Sequence, residues 1–269
     1  MDSFSIPEYP NIQISKYPNI QISKYPYIRM ALMNYESILV VTYGRTGSTL
    51  LQGVLNSIDG CLIRGENYGV CQGLFRSYRN MIKSKDHSGH APTEPWFGCQ
   101  FLNEDYVIEH GRELMRRVLL GDQAANNHVI CYGFKETRYV NMEPDYLFDY
   151  IDFICKLFPN PAVIFNTRAL SDVVKSAWWK EKEIGKITAM LKQTEGVFSR
   201  YANEHHNCFQ ITYEDTIAKT AVLERMFEFL GVHYDESNID RVLSRPHSYA
   251  PTQEHIEEMF VQRNKNYKQ

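Results

Sequence analysis

The chain has 269 residues, enough for one large α/β domain with a sizeable buried core. Its 43% hydrophobic and 23% charged content is ordinary for a soluble globule, and a formal net charge of −3 gives no global basic signature for nucleic acid or anionic membrane. With no apolar run of membrane-spanning length and no secretory signal pattern, the expected setting is cytoplasmic, with neither nucleic acid nor membrane as partner.

Tyr9 to Lys24 is an octapeptide written twice, YPNIQISK, followed by a partial third copy, Tyr25-Pro26-Tyr27-Ile28. Such repeats are too short and too few to stack into a solenoid. Ile12 and Ile14, then Ile20 and Ile22, alternate as an edge strand does, and the prolines exclude a central one. The favoured reading is a tail or arm over residues 1–34, ahead of a folded domain over 35–269. The alternative is strand-edge pairing with another chain, which would make the segment a route to a homo-oligomer.

Ile38 to Tyr43 is a short apolar run rich in β-branched residues and reads as a buried strand. Gly44-Arg45-Thr46-Gly47 is a tight turn. From Thr49 a helix follows, with Leu50, Leu51, Val54, Leu55 and Ile58 on one face. A strand, a glycine-bearing turn and a helix aim backbone N–H groups and the positive end of the helix dipole at an anion. Gly44 and Gly47 allow close approach, and Arg45, Ser48 and Thr49 add side-chain donors. The unit reads as an anion cradle, with a nucleotide as the expected ligand. A P-loop NTPase needs Lys after its second Gly, and no Lys follows Gly47, which argues against ATP hydrolysis.

Further on, Cys61 to Ile63 is a short strand, Arg64-Gly65-Glu66-Asn67 a loop and Leu74 to Lys83 a helix. Asp86 to Trp96 is polar and bears Gly and Pro, as surface loops do. Asp105 to Leu120 is an amphipathic helix closed at Gly121. Val129 to Lys135 is a strand, Tyr146 to Phe158 a helix, and Ala162 to Thr167 another strand. Helices are expected over Ser171 to Lys180 and Ile187 to His205. Phe209 to Tyr213 is the last strand, and Ala218 to Leu230 a helix stopped at Gly231. Gly73 to Asn127 carries no readable motif. The six cysteines include no C-x-x-C pair, and free thiols are expected.

Strands alternating with helices predict an α/β fold: a P-loop-like three-layer domain with a mainly parallel central sheet and helices on both faces. Ligands in such folds bind outside the carboxyl ends of the strands. Arg45, Glu66, Lys135, Arg168 and Tyr213 all fall at or just after predicted strand ends.

Thr42 to Leu50, TYGRTGSTL, resembles the 5′-phosphosulfate loop of sulfotransferases that use 3′-phosphoadenosine-5′-phosphosulfate (PAPS). That family has Lys or Arg where Arg45 stands, then a small residue, Gly and two hydroxyl residues. Its second motif is an Arg and a Ser eight positions apart that hold the 3′-phosphate. Asn166 to Trp178 supplies Arg168 and Ser176 at that spacing, again after a strand and leading into a helix. The resemblance covers roughly Ile38 to Tyr234.

The resemblance implies transfer of a sulfuryl group from PAPS, as co-substrate, to a hydroxyl or amino group of a small soluble acceptor. The bisphosphate PAP would be the product and no metal would be needed. Arg45 would stabilise the bridging oxygen and 5′-phosphate, its planar fork suiting a phosphosulfate, and Thr46, Gly47, Ser48 and Thr49 would complete that subsite. Gly65-Glu66 resembles the Gly-Glu step of tyrosylprotein and several bacterial sulfotransferases, where Glu is the base. A raised pKa is expected for Glu66 at a desolvated strand end. Lys135 would reach the sulfonate, with Arg138 as its alternate. Arg168 and Ser176 would clamp the 3′-phosphate, Tyr213 would reach the same region, and Arg245 would close over the nucleotide. His128 and His247 are the alternative bases, and Trp178 and Trp179 are read as core or adenine-stacking residues. Two other readings stand beside this one: a P-loop-type phosphotransferase, and a catalytically silent nucleotide-binding assembly protein.

Overall fold

Ser37–Thr42 forms the central strand, β1, and every one of its residues is buried. In the structure, a computed structural model, residues 33–87, 89–125, 128–176 and 183–245 are described. The repeat-bearing tail, Trp178, Trp179 and His247 lie outside the described residues. Burying both faces of an apolar strand contributes about 1.5–3 kcal/mol for each large side chain before the entropy of ordering the chain. The alternation of a strand then splits β1 between two cores: Leu39 and Val41 enter one, Ile38 and Val40 the other.

The other strands are β2 (Cys61–Arg64), β3 (Cys131–Glu136), β4 (Pro161–Thr167) and β5 (Cys208–Thr212). They pair in the order β2-β3-β1-β4-β5, and every pairing is parallel. One face carries α2 (Val70–Lys85), α3 (Asp105–Leu120), α4 (Pro144–Lys156) and α6 (Ile184–Glu204), through Phe75, Met115, Ile151 and Phe198. The opposite face carries α1 (Ser48–Leu55), α8 (Ala221–Leu230) and α9 (Glu236–Leu243), through Val54, Leu223 and Ile239. This is the expected three-layer α/β fold with its parallel sheet covered on both sides. The short α5 (Leu170–Val173) and α7 (Tyr213–Ala218) start directly after β4 and β5.

Three elements differ from the sequence reading, each for a local reason. Of the helix expected over Ser171 to Lys180, the described part, up to Ser176, holds only the four-residue α5, after which the Ser176 N–H and hydroxyl both turn back to the Val173 carbonyl. The helix expected over Ala218 to Leu230 is two helices. Thr212 and Asp215 form a capping box that starts α7 early. Lys219 then takes a left-handed conformation that ends α7, and the Thr220 hydroxyl caps α8. The unpredicted helix is α9, begun by Asp235, whose carboxylate accepts from the Asn238 N–H. All six cysteines are free.

Candidate active site

The β1–α1 turn places two of three consecutive residues in the left-handed region, Arg45 at φ 76° and Gly47 at φ 69°. For glycine this is free; for Arg45 it costs about 1–3 kcal/mol, a strain that the surrounding contacts must hold. Thr46 supplies part of that hold. Its hydroxyl lies 2.6 Å from that of Thr42 and donates to the Tyr43 carbonyl at 3.1 Å, while Thr42 bonds the Asn166 carbonyl on β4 at 2.7 Å. The Thr46 side chain is therefore fully buried, and this residue offers a ligand only its backbone. Ser48 is buried and Thr49 exposed at the start of α1. Among the described residues no side chain caps α1; the Leu50 N–H turns to the Gly47 carbonyl, and those of Ser48 and Thr49 keep their capacity for an anion.

The carboxyl end of β3 brings up Lys135, Glu136, Thr137 and Arg138. Lys135 Nζ donates to Glu66 Oε1 at 2.8 Å, and Arg138 Nη1 lies 3.3 Å from Glu66 Oε2. Burial, the largest single influence on Glu66, pushes its carboxyl up. The hydrogen bond and charge of Lys135, a hydrogen bond from Thr137 and the charge of Arg138 together outweigh it. The net effect holds Glu66 below the usual glutamate range, which corrects the raised value expected from the sequence. Lys135 is itself buried, so its pairing with Glu66 is no solvated surface contact.

Glu136, a residue that sequence reasoning gave no role, organises this corner. It is buried, and its carboxylate accepts from the Gly69 and Thr137 N–H groups at 3.0 and 2.8 Å. It thereby ties the loop that carries Glu66 to β3. Asn67 works beside it: its Oδ1 accepts from the Gly69 and Val70 N–H groups at the start of α2. Its Nδ2 is buried without a partner among the described residues, which leaves a donor next to Glu66. The run Lys135-Glu136-Thr137-Arg138 was the available signal, but the partner N–H groups are invisible until the chain folds.

At the end of β4, Arg168 lies with its guanidinium carbon 4.3 Å from the Tyr213 ring centroid. The same ring covers Gly47: a Cβ on Gly47 would meet Tyr213 Cδ2 at 2.2 Å. Arg168 Nη1 bonds the Arg45 carbonyl at 3.4 Å, and Arg45 Nε faces Ser176 Oγ at 3.4 Å. Arg168 Nε is buried with no partner among the described residues, as expected of a donor built for a ligand. Tyr43 supports this side from below by bonding Glu195 on α6 at 2.5 Å, a contact with no sequence signal.

Against this geometry, the family model described as Sulfotransferase family matches residues 37–236. The chain belongs to the sulfotransferase family. Among solved structures, it is similar to the sulfotransferase domain of the Synechococcus PCC 7002 olefin synthase, at 15% identity over 85% of this chain and 96% of that one, with a TM-score of 0.48. The sulfotransferase domain from the curacin biosynthetic pathway is similar at 15% identity over 81% and 80%, TM-score 0.46. A sulfotransferase from Mycobacterium tuberculosis H37Rv is similar at 12% identity over 90% and 80%, TM-score 0.38. No curated protein sequence matches the chain.

Not every candidate of this sulfotransferase joins the cluster. Arg245 follows α9 and is exposed, and among the described residues no hydrogen bond or ion pair links its side chain to the other candidates. His128 precedes β3 at the amino ends of the strands. Roughly 16 Å of strand, at about 3.3 Å per residue, separates that end from Glu136, which removes His128 as an alternative base. Among the described residues, no group of three or more His, Cys, Asp or Glu side chains is placed to hold a metal, and no helix is long and apolar enough to cross a membrane.

Proposed function

We propose that the chain transfers the sulfuryl group of PAPS to a hydroxyl or amino group of a small soluble acceptor, with Glu66 as general base. One observation carries the reading. Arg168 and Ser176, 123 and 131 positions from Arg45, both contact it. That contact supports one bisphosphate nucleotide held by both, with Arg168 taken as the cation for its 3′-phosphate and Arg45 as the cation for its 5′-phosphosulfate. The buried, unpartnered Arg168 Nε and the uncapped start of α1 fit the same ligand.

In this mechanism the acceptor atom attacks sulfur in line with the departing 5′-phosphate oxygen. The S–O bond to that oxygen breaks, and its electron pair leaves with the bisphosphate. Arg45, Lys135 and the α1 N-terminus offset the negative charge that develops there. The acceptor proton passes to Glu66. A carboxylate held low is ionised throughout the neutral range, and it becomes a better base as the sulfonate draws the Lys135 charge away.

The test begins with calorimetry of adenosine 3′,5′-bisphosphate against ATP. The bisphosphate is expected to bind at least about tenfold more tightly, a difference of about 1.4 kcal/mol. Tighter ATP binding would favour a phosphotransferase. Labelled PAPS is then incubated with a metabolite extract; bisphosphate binding with no labelled product would favour the silent binding protein.

A further inference from the structure

A cavity of about 710 Å³ is lined by Gly44 of the anion turn, by Thr137 and Arg138 after β3, and by Arg76 and Tyr146. It adjoins the reaction centre already described, because Arg138 contacts Glu66. The Arg76 wall has a different character. Arg76 is exposed and makes no ion pair or hydrogen bond among the described residues. It sits one helical turn after Gln72, whose Nε2 bonds the Arg138 carbonyl at 3.1 Å. That bond holds this face of α2 against the segment after β3, so residues four apart on the helix line the same cavity.

The charge in the lining is uneven. Two guanidinium groups, Arg76 and Arg138, face one carboxylate, Glu143. Arg138 is committed to Glu66, Glu136 and the Tyr68 ring. Arg76 is left as the lining cation with no ion pair or hydrogen bond among the described residues. The Tyr146 ring is itself held by the Arg79 guanidinium, 4.9 Å from its centroid. A planar guanidinium on a cavity wall recognises an oxyanion by paired, charge-assisted hydrogen bonds.

We infer that the acceptor carries an oxyanion, a carboxylate or a phosphate, which Arg76 takes while the acceptor hydroxyl lies toward Glu66. This rests on the sulfuryl-transfer reading and names the substrate class it left open. Arg76 is a specificity determinant in this scheme and takes no part in the chemistry.

The test is a titration of the full chain saturated with adenosine 3′,5′-bisphosphate. One arm pairs hydroxy acids with their amides, such as 4-hydroxyphenylacetate with 4-hydroxyphenylacetamide and 3-hydroxybutyrate with its amide. The other pairs glycerol 3-phosphate with glycerol. At least one anion is expected to bind about tenfold or more tightly than its neutral partner, and the arm in which it does so identifies the oxyanion. Arg76→Ala should bring that pair to parity, Arg76→Lys should keep part of the preference, and Glu143→Gln should strengthen it. Bisphosphate affinity and thermal midpoint should stay unchanged in all three. Neutral partners matching their anions in both arms, or a preference that survives Arg76→Ala, would overturn the inference. If the bisphosphate itself fails to bind, the nucleotide reading falls. The same pairs titrated without it then decide the Arg76 question by the same outcomes.

Discussion

The ion pair between Lys135 and Glu66 is lopsided: the Lys135 side chain is 6% exposed and the Glu66 side chain 39%. The cation bears most of the desolvation, and the carboxylate keeps one side open. A buried ammonium needs its partner, and a general base needs access to a proton; one pair meets both requirements. Glu66→Gln retains an oxygen for Lys135 but cannot take a proton. Turnover should fall by about 10²–10⁴-fold, while bisphosphate affinity barely changes. Near-normal turnover in this variant would remove Glu66 from the mechanism.

Lys135→Met should behave differently, losing both rate and nucleotide affinity, because a cation meets the sulfonate before and during transfer. It should also move a titration. With the largest of the influences that lower it gone, the burial that pushes Glu66 up meets less opposition. The acid limb of kcat/KM should shift to higher pH. In the wild type Glu66 is depressed, so its pairing stabilises the fold above the ordinary glutamate range and is lost as pH falls through the depressed value. Melting temperatures of the wild type and Lys135→Met should therefore converge at acid pH. Parallel curves down to full protonation would mean that the pair does not govern Glu66.

Arg168→Ala should weaken binding of adenosine 3′,5′-bisphosphate by about 1.5–3 kcal/mol, the worth of a charge-assisted hydrogen bond. Adenosine 5′-phosphate should lose far less. Calorimetry with both ligands separates the two, and equal losses would place Arg168 away from the 3′-phosphate.

Gly47→Ala adds a methyl group where Tyr213 Cδ2 lies 2.2 Å away, on a backbone at φ 69°. The left-handed strain alone costs about 1–2 kcal/mol. Tyr213 must also move, and it takes its stacking surface away from Arg168. The variant should melt lower and bind bisphosphate poorly. Tyr213→Ala in the same chain should restore part of the melting temperature by removing the obstruction. A double variant no more stable than Gly47→Ala would assign the whole loss to backbone strain.

Turnover should survive EDTA, because Arg45 and Lys135 supply the positive charge that Mg²⁺ supplies in kinases. Activity abolished by EDTA and restored by Mg²⁺ would favour phosphoryl transfer.

The features legible before folding are those written in neighbouring residues. Ile38 to Tyr43 announces a buried strand because a run of apolar, β-branched side chains suits little else. Gly44 and Gly47 announce a turn because they free the backbone where it must bend. The eight-residue interval from Arg168 to Ser176, and five candidates at strand ends, could be counted directly. Even the overlooked helix starts had local signals, the Thr212–Asp215 box and the Asp235 cap.

The properties that set the chemistry depend on residues far away in the chain, and only the tertiary structure decided them. Glu66 had the look of a carboxylate raised by burial; Lys135, 69 positions on, together with Thr137 and Arg138, reverses the sign. Thr46 was legible only as a residue of the anion turn; that Thr42 and the Tyr43 carbonyl take its hydroxyl inward, leaving its backbone to a ligand, was not. Arg168 gained a stacking surface from Tyr213, and Tyr43 found Glu195 at a separation of 152 residues. Periodicity and turn chemistry act between adjacent residues and survive in the bare sequence. Burial and charge act through space, and their balance exists only once the sheet has brought its strand ends together.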